Sequence, residues 1–122
     1  MTTGLRLELF VADVERSLIF YTEVLGFQVV EPKFGGYRPL QRDAVRIGVQ
    51  SGASLQPGHP LTEPGPPGLG IELVLEVGDL VGLRDHAHQR WPLSADLTDR
   101  PWGLTDFRIQ DPDGYFWRVT TA

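Results

Sequence analysis

Apolar and polar residues alternate strictly over residues 5–11, LRLELFV, with Leu5, Leu7, Leu9 and Val11 on one face and Arg6, Glu8 and Phe10 on the other. A period of two predicts a half-buried strand. Asp13 follows as a helix N-cap, and Val14, Leu18, Tyr21 and Leu25 recur at helical spacing up to Gly26, which suits a C-cap. Short strands are expected at 27–30, 37–41 and 44–49, parted by Gly35-Gly36 and by Arg42-Asp43. The pattern then returns, because IELVLEVGD at 71–79 echoes LRLELFVAD at 5–13 without a gap. Alternation predicts a second opening strand at 71–77, Asp79 caps a helix running to about Arg90, and strands are expected at 91–97, 104–110 and 115–120. Asp111-Pro112-Asp113-Gly114 joins the last two as a type I turn, since Pro presets φ at the second position and Gly suits the fourth.

Between the halves, residues 51–68 hold five Pro and four Gly, a composition that continues neither sheet nor helix. The chain is therefore read as one α+β domain of two tandem βαβββ modules, module 1 at 4–50 and module 2 at 69–122, with a linker at 51–68.

Composition narrows what such a domain can do. The 122 residues contain no Cys, which excludes disulfides, Cys-ligated zinc and thiol catalysis together. A net charge of −5 argues against nucleic acid, whose binding needs basic patches, and weakly favours cationic partners. No apolar run approaches the length of a membrane span, and no basic stretch leads into an apolar N-terminal segment, so a cytoplasmic protein is expected.

RSLIFYTEVLGF at 16–27 and FRIQDPDGYFWRV at 107–119, in register with the internal repeat, resemble the vicinal oxygen chelate superfamily, which includes glyoxalase I, extradiol dioxygenases and the fosfomycin- and bleomycin-resistance proteins. Pro101-Trp102-Gly103 is most similar to the bleomycin-resistance branch. The resemblance implies a U-shaped curled mixed sheet with helices outside, homodimers, and in the enzymes a divalent metal on the cleft floor. Its ligand positions, carried onto this chain, are Arg6, Gly48 or a neighbour, Glu72 and Arg118. Only Glu72 among them has lone pairs for a metal, because a guanidinium is permanently protonated. No metal, no other cofactor and no catalytic residue is expected.

Strand parity instead places Arg6, Glu8, Phe10, Glu72, Glu76, Asp106, Arg108, Phe116 and Arg118 on the cleft face, with Phe34, Tyr37 and Trp102 in or beside its loops. Arg6, Glu72 and Arg118 could pair where the metal would be. The aromatics suit a flat ligand. His86 and His88, two apart on a helix, and His59 in the linker read as exposed, while Asp111 and Asp113 are explained by their turn. The expected function is thus sequestration of an antibiotic-like aromatic small molecule, with a positive charge favoured by the acidic chain. Two alternatives stand beside it. One is a metal-dependent lyase, isomerase or dioxygenase using Glu8, Glu72 and Glu76. The other is a metal-free enzyme with Glu8 or Glu72 as base and Arg6 or Arg118 stabilising an oxyanion.

Overall fold

The computed structural model describes residues 2–62 and 64–122; Glu63, inside the expected linker, and Met1 lie outside the described residues. The chain divides into two compact units, one up to Gly65 and one from Pro66 to Ala122. Each is a four-stranded mixed sheet with one principal helix, as the repeat predicts.

Module 1 contains β1 (Arg6–Val11), α1 (Val14–Ile19), β2 (Gln28–Val29), β3 (Arg38–Arg42) and β4 (Val45–Ser51), with sheet order β1-β4-β3-β2. β1 and β4 run parallel, the rest antiparallel. The alternation read from the sequence holds toward the end of the strand, where Leu9 and Val11 are buried and Glu8 and Phe10 half-buried, but Leu7 is only half-buried and Leu5, ahead of the strand, is exposed like Arg6. Ile47, Val49 and Leu40 complete the core face of the sheet, and α1 packs against β4. Asp13 caps α1 as expected, its carboxylate accepting from Arg16 N at 3.2 Å.

The expected single helix over 14–25 is in fact two kinds of helix. From Phe20 to Val24 the turn widens to a π-helix, with Leu25 N donating to Phe20 O at 3.3 Å. Thr22 Oγ1 bonds back to Leu18 O at 2.7 Å, which draws that carbonyl off the regular ladder. The wider turn brings Phe20, Tyr21, Val24 and Leu25 all inside. Tyr21 there meets Phe20 and Phe27 edge to face, at 5.0 and 6.0 Å between centroids. Gly26, at φ +78°, ends the helix, and Arg42 Nη1 donates to the otherwise open Leu25 carbonyl at 2.6 Å.

Module 2 contains β5 (Leu73–Glu76), α2 (Leu80–His88), β6 (Ala95–Asp99), β7 (Thr105–Gln110) and β8 (Phe116–Thr120), in the order β5-β8-β7-β6. Again the opening and closing strands are parallel. Leu75, Val77, Phe107, Ile109, Trp117 and Val119 form its core with Leu80, Leu83 and Ala87 of α2. Full burial of such side chains contributes roughly 1.5–3 kcal/mol each. Asp79 Oδ1 caps α2 by accepting from Gly82 N at 2.9 Å.

The strand expected at 91–97 begins later, at Ala95, and carries an irregular register against β7 between Ala95 and Thr98. Pro92 cannot donate to a ladder, and the Trp91 N–H is taken up at the end of α2, donating to Ala87 O at 2.9 Å, while its Nε1 donates to Gln110 O at 2.7 Å. The DPDG turn forms as read: Gly114 N donates to Asp111 O at 3.0 Å, and the buried Asp111 carboxylate accepts from Asp113 N and Tyr115 N at 2.9 and 2.8 Å. Within the linker, Gly52–Ser54 and Pro60–Thr62 form single 3-10 turns, a local order the Pro and Gly content alone does not announce. His86 and His88 are exposed, and His59 Nδ1 accepts from Leu61 N at 3.1 Å.

Candidate functional site

Parallel pairing of β1 with β4 aligns Arg6, Glu8 and Phe10 with Arg46, Gly48 and Gln50 on the face of module 1 turned away from its core. Glu8 Oε1 accepts from Arg6 Nε at 2.7 Å and from Tyr37 Oη at 3.0 Å. Its other oxygen, Oε2, is buried without a hydrogen-bond partner. Gly48 makes this arrangement possible, because a Cβ there would overlap both Glu8 Oε2 and Tyr37 Oη. Burial and the neighbouring Glu8 carboxylate together push the Tyr37 phenol above its ordinary pKa, so it stays a hydrogen-bond donor. Phe34, 84 % exposed, opens the Gly35-Gly36 turn, which Tyr37 N closes by donating to Phe34 O at 2.9 Å.

Module 2 uses the same frame for opposite chemistry. Asp106 on β7 is fully buried and accepts from Arg100 Nε at 3.1 and 3.0 Å and from Arg100 Nη2 at 2.9 Å. That pairing, followed by the charges of Arg100, Arg108 and Arg118, holds the Asp106 carboxyl below the usual carboxylate range against the opposing effect of burial. Arg108 and Arg118 sit directly opposite each other on β7 and β8. Like charges so placed repel, and Glu72 lies between them. Its Oε1 is 3.0 Å from Arg118 Nε and its Oε2 is 3.6 Å from Arg108 Nε. Both Nε atoms are nevertheless buried without a hydrogen bond, since one contact is misdirected and the other too long.

Aromatic rings flank both guanidiniums. Arg118 Cζ lies 5.7 Å from the Trp102 centroid and Arg108 Cζ 6.0 Å from that of Phe116. Trp102 is 58 % exposed and Val74, opposite Arg118 on β5, is 44 % exposed, so the Arg side chains stand in an apolar surround. Glu76 shares the face, paired in register with Thr120, but makes none of these ion pairs.

Of the residues singled out from sequence, module 1 thus brings together Arg6, Glu8 and Tyr37, and module 2 brings together Glu72, Trp102, Asp106, Arg108, Phe116 and Arg118. Arg6 takes Glu8 as its partner, whereas Glu72 takes Arg118 and Arg108. Arg100 escaped the sequence reading. It opens the Arg100-Pro101-Trp102-Gly103 turn, in which Gly103 N donates to Arg100 O at 3.0 Å, and Pro at the second place with Gly at the fourth was the available signal.

A divalent cation does not fit these positions. Arg6 and Arg118 have no lone pair to donate, Gly48 has no side chain, and the Glu72 carboxylate is flanked by two guanidiniums. No group of three or more His, Asp or Glu suited to a metal occurs among the described residues. No helix among them is long and apolar enough to cross a membrane.

The family model of the Glyoxalase/Bleomycin resistance protein/Dioxygenase superfamily matches residues 5–119. Among solved structures, a protein of unknown function from Agrobacterium tumefaciens is 25% identical, with a TM-score of 0.80 over 100% of this chain and 95% of that one. TioX from Micromonospora is 20% identical, with a TM-score of 0.78 and 98% of each chain covered. A glyoxalase-related enzyme from Fulvimarina pelagi is 20% identical, with a TM-score of 0.80 over 100% of this chain and 89% of the other. No curated protein matches the chain by sequence.

Proposed function

This chain belongs to the Glyoxalase/Bleomycin resistance protein/Dioxygenase superfamily, and we propose that within it the protein binds and sequesters an aromatic small molecule, in the manner of the bleomycin-resistance branch, without metal-dependent chemistry. One observation carries the proposal: at the family's metal-ligand positions stand Arg6, Gly48, Glu72 and Arg118, and the single carboxylate among them is paired with Arg118 at 3.0 Å. Lewis-acid catalysis needs an open cation there. An internal ion pair offers none.

Aromatic side chains support the choice of ligand. Trp102 and Phe34 are exposed, and Phe116 lies half-buried beneath a guanidinium, a combination that stacks flat rings and orients their polar edges. Sequestration needs affinity alone, and a micromolar constant, about −8 kcal/mol, suffices when the protein is abundant. The working form proposed is a cytoplasmic homodimer with no nucleic-acid or membrane partner, its biological role resistance to an antibiotic-like compound.

Calorimetric titration with a broad panel of planar aromatic compounds, paired with elemental analysis of the purified protein, tests the proposal. Stoichiometric binding with the compound recovered unchanged is expected. About one tightly held Ni, Zn, Mn or Fe per chain, or turnover of a bound compound, would overturn it.

A further inference from the structure

On the open face of module 2 three guanidiniums and two carboxylates form one ion-paired cluster with one positive charge in excess, and Glu76, on the same face, makes no ion pair with it. The chain's net charge of −5 acts at long range, but a bound group touches this local excess. The two carboxylates differ sharply in how they are held. Asp106 is fully buried and grips Arg100 through both oxygens, so it is a fixed part of the module. Glu72 precedes β5, is 34% exposed, and lies between Arg108 and Arg118 without satisfying the Nε–H of either.

Two buried N–H donors that converge on one carboxylate and bond to neither of its oxygens define a site for an oxyanion better placed than Glu72. Aromatic and aliphatic side chains surround it, with Trp102 5.7 Å from Arg118 Cζ, Phe116 6.0 Å from Arg108 Cζ, and the solvent-exposed Val74 opposite Arg118 on the edge strand β5. We propose that Arg108 and Arg118 form an oxyanion-binding pair for a planar aromatic acid, which Glu72 occupies in the free protein as a built-in competitor. The ligand's carboxylate or other acidic oxygen displaces Glu72 and its ring stacks on Trp102. No bond is made or broken.

The proposal rests on the binding role given above and specifies the charge of the ligand. Glu72 then sets a threshold, since weak acids fail to displace it and only those that add stacking to the charge contact bind. It also reverses the expectation of a cationic ligand drawn from net charge, because the contacting groups are donors and cations.

The test uses 2-naphthoate and its neutral counterpart 2-naphthamide, titrated calorimetrically into the full chain and into Glu72→Gln. Naphthoate is expected to bind the unaltered protein at least about tenfold more tightly than the amide, and Glu72→Gln to tighten naphthoate by about another tenfold while leaving the amide unchanged. Arg108→Gln, checked for folding by circular dichroism, is expected to abolish that preference. Equal affinity for acid and amide, or no tightening in Glu72→Gln, would overturn the oxyanion site and leave the sequestration role standing. Failure of both naphthalene probes to bind would likewise overturn it. Recovery of a stoichiometric metal or of a chemically altered ligand would instead overturn the sequestration role.

Discussion

The two modules share a backbone plan, each with its opening strand parallel to its closing strand and the order β1-β4-β3-β2 repeated as β5-β8-β7-β6. Their open faces differ in kind. Module 1 has Gly48 in its closing strand, and the vacant space is filled by Tyr37 donating to Glu8. Module 2 has Arg118 in its closing strand, neutralised by Glu72 and flanked by Asp106. The core faces repeat because a period-two pattern of Leu, Val and Ile is what buries a sheet. The open faces contribute little to that burial, and so one plan supports a carboxylate-and-phenol face and an arginine face.

Breaking the comparison at its most buried point has the largest expected effect. Asp106→Asn leaves Arg100 and Arg118 facing a neutral amide, and stability should fall by about 3 kcal/mol or more, measured by urea unfolding. The same pair gives the effect a pH signature. The folded-state pKa of Asp106 is lowered, so its stabilisation is fully present above the unfolded carboxylate value of about 4 and is lost as pH falls through the folded value. The gap between the unaltered chain and Asp106→Asn should therefore be constant near neutrality and close in acid.

Next in size comes Gly48→Ala, which asks whether module 1 tolerates any side chain where module 2 carries an arginine. Overlap with Glu8 and Tyr37 should cost about 1–3 kcal/mol and expose the Tyr37 ring, which tyrosine fluorescence quenching checks. Tyr37→Phe removes only the hydrogen bond to Glu8 and should cost about 1 kcal/mol in the same unfolding assay. An external reference completes the series. Asp96, on the surface of module 2, is bound by Arg84 at 2.6 and 2.8 Å and has its pKa lowered to about 2. Arg84→Gln should bring the Asp96 titration back toward the ordinary range by carboxyl NMR, with little change in stability because the pair is exposed.

Much of the fold was legible because burial imposes period. Alternation over most of 5–11 and 71–77, caps at Asp13 and Asp79, and the DPDG turn are each local consequences of one or a few residues, although β1 opens at Arg6 and β5 only at Leu73, with Leu5 and Ile71 exposed before them. The π-turn at Phe20–Val24, beside which Thr22 Oγ1 bonds back to Leu18 O, was not legible, since the apolar spacing of 14–25 fits a continuing α-helix as well. The late start of β6 follows from the backbone of Arg90 and Trp91, whose N–H groups both still donate to Ala87 O at the end of α2, and from Pro92, which has none to donate. Within the site, parity correctly grouped Asp106, Arg108, Phe116 and Arg118 on one face, but Arg100 lies outside any strand and periodicity is blind to it. The division of labour between a locked Asp106 and a half-exposed Glu72 depends on distances that spacing does not encode.

The ion pair between Glu72 and Arg118 also governs how readily the chain could change trade in evolution. A lone Arg118→Glu step sets a second carboxylate beside Glu72 and close to the buried Asp106, while Arg108 and Arg100 lose a shared balance of charge. A lone change at Glu72 leaves Arg108 and Arg118 opposed across two strands. Replacing Glu72 by a neutral residue raises the excess of the cluster from one positive charge to two, whereas replacing Arg118 by one removes it, so the easier single step away from the present pair is loss of the arginine.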